Sequence, residues 1–329
     1  MTTSLGDESA LLTALHDLSE RGRHKDVVDR LDQLPPGEVE KRAPLALLAA
    51  EANGRLGRHD DAERWATAAL EAARARGNRH AELRALNFRG AIALERGAAD
   101  DAERWFSAAL ELCRETPSHA AEARSLNNLG IIAHLRGELQ NALVTYQLAL
   151  AAYQQAGLVR GMAETHHNIA ISRLYLGDTR GAVSAADEAV RLAGQLNDER
   201  LTTQALVGRA ELHLASGDPA LAAAELERAA TAYQRLHHPA GLAEVRRLQA
   251  GVARSRGDVP EAVRLLKQAA DLAQDSNTHT LAEVERDLGA ALEARGDRAA
   301  ARAARERAIA LYRGLGATPL AEQLSAMIA

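Results

Sequence analysis

Three kinds of side chain in this sequence could do chemistry: paired histidines, a single cysteine and a set of asparagines. Histidines stand next to each other at His166 and His167 and again at His237 and His238. Neighbouring residues on a helix point about 100° apart, so neither pair can chelate a metal ion unaided. Cys113 is expected to be a small buried hydrophobic residue. Because no phosphate loop, metal-type cysteine pair or nucleophile elbow occurs, the sequence predicts no enzyme and no cofactor.

The composition indicates an all-α protein. Hydrophobic residues make up 47% of the 329 residues but aromatic residues only 3%, so the core must consist mainly of Ala and Leu, the best helix formers. A formal charge of -5 argues against direct binding of nucleic acid, which needs a basic face. With one cysteine no internal disulfide can form, and we expect a cytoplasmic location. The start of the sequence lacks a basic signal segment and no apolar run could span a membrane, so neither export nor a membrane partner is expected.

A repeat of forty residues organises the chain. Glycine recurs at one position of the repeat, with a single deletion before its last occurrence: Gly57, Gly97, Gly137, Gly177, Gly217, Gly257 and Gly296. An alanine stands five and again twelve residues after each of these glycines, as at Ala102 and Ala109. A glycine or alanine also stands seven residues before each one, as at Gly90. Agreement at four positions over seven periods excludes coincidence.

Each repeat is predicted to be two helices around a tight turn. In SLNNLGIIAHLRG the apolar residues recur three and four apart, which is the face of a helix. The repeating glycine supplies a positive φ where the first helix ends, and an aspartate after it, as at Asp178, Asp218, Asp258 and Asp297, fits a turn or an N-cap. The two alanines let a neighbouring helix approach closely. Since one hairpin cannot bury its apolar face, the repeats must stack.

These spacings resemble the tetratricopeptide repeat, in its forty-residue variety, over residues 43–316. The resemblance implies a right-handed α-solenoid of seven helix-turn-helix repeats whose first helices line a concave groove. A degenerate helical hairpin over residues 1–42 and a lone helix over residues 317–329 are predicted to cap the array. The large aromatic residue that the family carries in its first helix is replaced here, for example by Ala93 and Ala133.

Asparagines recur on the first helices of repeats two to four, three or two residues before the small residue: Asn87, Asn127, Asn128 and Asn168. The resemblance places them in the groove, where an amide can both donate to and accept from a peptide backbone. Asn is a poor residue for a helix interior, so its presence needs a reason. The alternative is a hydrogen bond between repeats, from Asn to backbone or to another Asn, without any ligand.

Further polar residues are predicted to extend this groove lining: Arg84, Arg124, His134, Glu164, His167, Gln204 and Arg247. The arginines could pair with acidic groups on a partner. His134 could approach His167 across neighbouring helices, but zinc is the weaker interpretation and no metal site is predicted. The family's carboxylate clamp is not matched, because its asparagine just after the small residue is here Ala91 or Ile131.

The sequence therefore predicts a non-enzymatic scaffold or adaptor that binds a protein or peptide in the concave groove. One alternative is a regulatory sensor that captures a short signalling peptide and acts through a partner. Arrays of this kind also resemble the sensory half of bacterial transcriptional regulators. A second alternative is a self-assembling structural array, so self-association is possible.

Overall fold

The structure is a computed structural model that describes residues 5–274 and 278–327. Within these ranges there are seventeen α-helices and no β-strand. The chain divides into two compact units, unit 1 (Met1–Ser125) and unit 2 (Leu126–Ala329). The all-α, helical-repeat fold class predicted from the sequence is confirmed.

The helices follow one another with short turns between them. Unit 1 contains α1 (Leu5–Glu20), α2 (His24–Leu31), α3 (Ala43–Arg55), α4 (His59–Ala75), α5 (Arg79–Glu95) and α6 (Ala99–Glu115). Helix α7 (His119–Leu135) crosses the boundary between the units. Unit 2 continues with α8 (Leu139–Ala156), α9 (Val159–Tyr175), α10 (Thr179–Gln195), α11 (Glu199–Ala215), α12 (Pro219–Arg235), α13 (Pro239–Ser255), α14 (Val259–Ala273), α15 (Thr278–Ala294), α16 (Arg298–Gly314) and α17 (Thr318–Ala326).

The predicted repeats correspond to seven consecutive helix pairs, from α3 with α4 to α15 with α16. Within unit 1 the two helices of a pair pack against each other, and α4 packs on α5. Within unit 2 the pairs from α9 with α10 to α15 with α16 pack in the same way, and α8, α10, α12 and α14 each pack on the first helix of the next repeat. The predicted N-terminal hairpin contains α1 and α2, and the predicted C-terminal cap contains α17. Residues 1–4 and 328–329 of these two segments lie outside the described residues.

The repeating glycine ends each first helix as predicted. All seven of these glycines have φ between 72° and 89°, in the left-handed region that favours glycine. The aspartate that follows caps the second helix in three repeats: Asp178, Asp258 and Asp297 each accept a hydrogen bond from a backbone N–H of the first turn. Asp218 also occupies an N-cap position, but its side chain makes no capping hydrogen bond.

The small residue of the first helix is matched to a side chain of the second helix. Gly90 packs on the ring of the fully buried Phe106, and Gly130 packs on Tyr146 in the same way one repeat later. Where the small residue is Ala, the residue nine after the turn glycine is Ala or Leu, as in the pair Ala210 and Leu226. The first helix therefore carries Gly where the facing side chain is larger.

We expect Gly90→Ala to lower the free energy of unfolding by about 1–3 kcal/mol, the usual cost of overpacking a core. A Cβ added at Gly90 would lie 2.5 Å from the Phe106 ring, which is enclosed and cannot move aside. Urea denaturation followed by circular dichroism measures the change.

The matched control is Gly194→Ala in α10, since an added Cβ there meets no atom within 4 Å. That variant should gain about 0.5–1 kcal/mol, because Ala is the better helix former. The double variant Gly90→Ala with Phe106→Leu reproduces the Ala–Leu pairing of other repeats and should recover most of the lost stability. Equal behaviour of Gly90→Ala and Gly194→Ala would contradict the steric explanation.

Candidate functional site

The first helices of neighbouring repeats pack side by side, and in unit 2 we call the surface they form the first-helix face. It consists of α9, α11, α13 and α15, each of which contacts the next. Leu135, at the end of α7, packs against the apolar cluster of α15 to α17. A Cβ added at Gly137 would lie 3.4 Å from Cγ of Pro319, so the turn after α7 lies against the start of α17. Within unit 2 the repeats therefore curve back until the two ends meet.

The predicted groove residues fall into both units. Arg84, Asn87 and Arg124 lie in unit 1, and the remaining ones lie in unit 2. Arg84 is paired with Glu51 of the preceding repeat at 3.0 Å. Arg124 is exposed, as is Gln204 in unit 2. Of the predicted arginines in unit 1, only Arg124 is without an ion pair to a described residue, and its pairing with an acidic partner stays a prediction.

Asn87 is buried and joins α5 to α7. Its Nδ2 donates to the carbonyl oxygens of Leu83, at 3.2 Å, and of Ala121, at 3.5 Å. Its Oδ1 accepts a hydrogen bond of 2.9 Å from the hydroxyl of Ser125. Both polar atoms of this amide are therefore engaged within unit 1, in the kind of inter-repeat hydrogen bond that the sequence offered as the alternative.

Asn127 joins α7 to α9 in a similar way. It is buried, and its Oδ1 accepts from the hydroxyl of Thr165 at 3.0 Å and from Nδ2 of Asn168 at 3.2 Å. Thr165 also donates to the carbonyl of Gly161, at 2.7 Å. Asn128, beside it in sequence, is half-buried and makes no hydrogen bond to a described residue. Besides both polar atoms of Asn128, Nδ2 of Asn127 and Oδ1 of Asn168 make no hydrogen bond to a described residue and are left for a ligand.

We expect Asn127→Ala to lower the free energy of unfolding by about 1–2 kcal/mol, because Thr165 and Asn168 lose their shared acceptor. The neighbouring variant Asn128→Ala serves as the control and should be neutral or slightly stabilising, since Ala is the better helix former. Thermal denaturation of both variants gives the comparison. A melting temperature lowered equally in the two would contradict the inter-repeat role of Asn127.

His134 and His167 are held by packing. Nδ1 of His134 lies 2.9 Å from the hydroxyl of Ser172, and its ring meets Tyr175 edge-on with centroids 5.2 Å apart. Burial, together with a smaller effect of the nearby His279, lowers the pKa of His134 to about 4. The ring of His167 fills the space that the absent side chain of Gly208 leaves, and burial lowers its pKa as well. In the described ranges no group of three or more His, Cys, Asp or Glu residues could hold a metal ion.

Arg247 lies at the centre of a charged group on the first-helix face. Its side chain is only 5% exposed. Guanidinium nitrogens lie 2.8 Å from Glu211, 2.5 Å from Glu244, 3.2 Å from Asp287 and 3.8 Å from Glu283. These carboxylates come from α11, α13 and α15, so three successive repeats meet here. We call Arg247 and the four carboxylates the Arg247 cluster.

The Arg247 cluster carries an excess of negative charge. Arg286 adds a second guanidinium, 2.9 Å from Asp287. Four carboxylates against two guanidinium groups leave a formal charge of −2 when all six are ionised. Tyr175 lies close enough to interact electrostatically with Glu283 and Arg286, and this residue is 47% exposed. The cluster is therefore acidic and bordered by an accessible aromatic ring.

The pKa values of Glu244, Glu283 and Asp287 are shifted in different directions by these surroundings. Burial raises the pKa of Glu244 to about 7, with Glu283 and Glu211 adding to the rise and Arg247 opposing it. Burial would also raise the pKa of Glu283, but Arg247, His279 and Arg286 outweigh it and lower that pKa. Asp287 behaves like Glu283, because Arg286 and Arg247 both stabilise its charged form and lower its pKa. Of these three carboxylates, Glu244 is the most easily protonated.

Sequence reasoning named Arg247 but missed the residues around it: Glu211, Glu244, Glu283, Asp287 and Tyr175. A signal was present in the register. Glu244 and Glu283 occupy the position of Arg84 and Arg124 in the sixth and seventh repeats, and Asp287 occupies that of Asn128. Aligning all seven repeats therefore reveals acidic residues on the first helices of the sixth and seventh repeats.

Comparison with known proteins agrees with the repeat and the fold. The family model of the tetratricopeptide repeat matches residues 82–155. The chain therefore contains tetratricopeptide repeats, which confirms the resemblance seen in the sequence. No curated protein matches the chain. None of the described helices combines the length and the apolar character needed to cross a membrane.

Several solved structures share the fold. A Rap protein complexed with Competence and Sporulation Factor superposes with a TM-score of 0.64 at 13% identity, covering 97% of this chain and 96% of that one. The Rap conjugation gene regulator of the plasmid pLS20, in complex with a Phr peptide, gives 0.69 at 13% identity and covers 83% and 74%. A signal transduction ATPase with a tetratricopeptide repeat sensor, from Pyrococcus horikoshii, gives 0.61 at 13% identity and covers 98% and 48%. At such identities the likeness concerns the fold alone.

Proposed function

We propose that this chain is a non-enzymatic, cytoplasmic binding protein that takes a peptide segment on the first-helix face of unit 2. A basic group of that peptide, an arginine or lysine side chain or a free amino terminus, binds at the Arg247 cluster. The observation that carries the proposal is the excess of carboxylates over guanidinium groups, four against two, in a largely buried position near Tyr175.

The charge balance of the face favours a basic ligand over an acidic one. Arg247 is surrounded by carboxylates, and its own charge is satisfied within the chain. Glu211 and Asp287 keep part of their side chains accessible, so a cation could reach them. Hydrogen bonds between a guanidinium or ammonium and a partly buried carboxylate are about twice as strong as neutral ones. Tyr175 adds an aromatic surface on which such a cation could rest.

The comparisons support a peptide as the ligand. Two of the proteins with this fold are Rap proteins, one solved with Competence and Sporulation Factor and one with a Phr peptide. Peptide binding is proposed for this chain from its likeness to these two proteins. The residues proposed to bind the peptide are those of its own first-helix face.

Panning a phage-displayed library of short random peptides against the purified full chain tests the proposal. The enriched peptides should carry Lys or Arg, and their affinity should fall as salt is raised, because screening weakens exposed charge pairs. Glu211→Gln should weaken the best peptide about tenfold, a loss of about 1.4 kcal/mol. The substitution keeps an oxygen that can accept from Arg247, so the fold should survive.

Glu261→Gln is the matched control, because Glu261 is an exposed carboxylate on the second helix α14 and pairs only locally with Arg264. It should leave peptide affinity unchanged. Enrichment of acidic or uncharged peptides, or equal binding by the Glu211 and Glu261 variants, would overturn the proposed site. Co-purification from the native cell followed by mass spectrometry then identifies the physiological partner.

A regulatory sensor is the second candidate, and the contact between the ends of unit 2 favours it. Gly137 lies against Pro319, and Leu135 packs on the neighbouring apolar cluster. A ligand that changes the pitch of the repeats would open or tighten this contact. Fluorescence energy transfer between dyes on Glu138→Cys and Glu322→Cys, in a Cys113→Ser background, should then change on addition of a selected peptide. Constant transfer at saturating peptide would favour the static scaffold.

A further inference from the structure

Helix α8 differs from every other second helix of the described repeats in carrying no charged side chain. Its sequence is LQNALVTYQLALAAYQQA, whereas α4, α6, α10, α12, α14 and α16 each contain several Asp, Glu, Lys or Arg residues. The side facing its own repeat is ordinary, since Ala142, Tyr146 and Ala149 are buried there. The unusual composition therefore concerns the outer side.

The outer side of α8 is an exposed stripe with the spacing of a helix-pairing seam. Val144 is 62% exposed and Leu148 is 55% exposed. Asn141, Ala151 and Gln155 continue the line and are exposed as well. The five residues follow one another at intervals of three, four, three and four, which is the heptad spacing of two helices that pack along each other. The stripe is about 21 Å long, from a rise of about 1.5 Å per residue.

We infer that α8 is a dimerisation surface, and that its partner is α8 of a second copy of this chain. In a two-fold interface each residue near the axis meets its own copy, so a charged residue there would face a like charge. The stripe on α8 lacks such residues. At its ends Asn141 and Gln155 carry amides, which donate and accept at once and can pair with another amide.

The same feature disfavours a foreign charged partner. An acidic or basic protein finds no opposite charge on the α8 stripe, although charges are plentiful on the outer sides of the other second helices. The proposed contact runs side by side through α8, and so differs from end-to-end stacking of arrays. It is also independent of the proposed function, because α8 is a second helix and takes no part in the first-helix face of unit 2.

Sedimentation velocity on the full chain over a range of concentrations tests the inference. The unaltered protein should form dimers, and Leu148→Arg should raise the dimer dissociation constant at least about tenfold, since like charges then meet near the two-fold axis. Leu221→Arg is the matched control, because Leu221 is 51% exposed on the second helix α12 and lies outside the stripe. That variant should dimerise like the unaltered protein.

A second experiment restores association by pairing opposite charges. Misfolded variants could not give this result, because they would not form a dimer on mixing. Leu148→Arg and Leu148→Glu should each be monomeric alone and should form a heterodimer when mixed in equal amounts. Circular dichroism should show both variants folded, because position 148 is exposed. A chain that stays monomeric at its highest soluble concentration overturns the inference. So does a dimer that Leu148→Arg leaves intact, or one that Leu221→Arg disrupts equally.

Discussion

Replacing Arg247 with alanine is expected to lower the free energy of unfolding of unit 2 by about 3–5 kcal/mol, the usual cost of leaving buried charges without their partner. Four carboxylates converge on this one guanidinium, and its removal leaves them facing each other. Urea denaturation at neutral pH measures the loss. At acidic pH the loss should shrink, because protonation removes the repulsion among the carboxylates.

The adjacent arginine provides the control for this experiment. Arg246 is half-buried and donates a hydrogen bond of 2.7 Å to Gln249 of its own helix. Arg246→Ala should therefore change the stability by no more than about 0.5 kcal/mol. If the two variants unfold at the same urea concentration, the Arg247 cluster does not stabilise the fold in the way the geometry implies.

Glu244→Gln is expected to stabilise the protein at pH 8 by up to about 3 kcal/mol, while changing little at pH 5. Burial raises the pKa of Glu244 from its ordinary 4.5 to about 7 in the folded state. Each unit of such a difference corresponds to about 1.4 kcal/mol. Between those two values the folded chain binds the proton more tightly than the unfolded chain, so the stability that Glu244 contributes is full below pH 4.5 and is lost as the pH rises through 7.

The measurement is the difference in stability between the unaltered protein and Glu244→Gln at each pH. Other groups also respond to pH: burial lowers the pKa of His134 to about 4, which favours the folded state as the pH rises toward neutrality. Because His134 is present in both proteins, its contribution cancels in the difference. A difference that is constant from pH 5 to pH 8 would contradict the raised pKa of Glu244.

The sequence was sufficient for the fold because its strongest signals are local. Gly97 needs a positive φ in its own turn, and Ala102 needs to be small where the next helix approaches, so each residue type follows from its nearest neighbours. The pairing of Gly90 with Phe106 could also have been predicted, since the larger residue sits nine positions after the turn glycine. Patterns that repeat seven times leave little room for another interpretation.

The candidate site was harder to predict from the sequence than the fold, because its contacts join different repeats. Asn87 with Ser125, Asn127 with Thr165 and His134 with Ser172 are each 38 residues apart. An asparagine pattern alone fits both a ligand site and a hydrogen bond between helices. The two are distinguished only by the hydroxyl side chain, Ser125 or Thr165, that lies 38 residues later and donates to the asparagine. The Arg247 cluster draws on residues 36 and 40 positions away, which become visible only when the side chains are placed in space.

The contact between Gly137 and Pro319 bears on how such a gene can lengthen. An array with free ends tolerates duplication or loss of a repeat, because every unit contacts only its neighbours. In unit 2 one more forty-residue segment would carry α17 away from the turn after α7 and break the contact there. The contact therefore fits one particular number of repeats between these two points. We expect descendants of this gene to vary in side chains along unit 2 while keeping its repeat count.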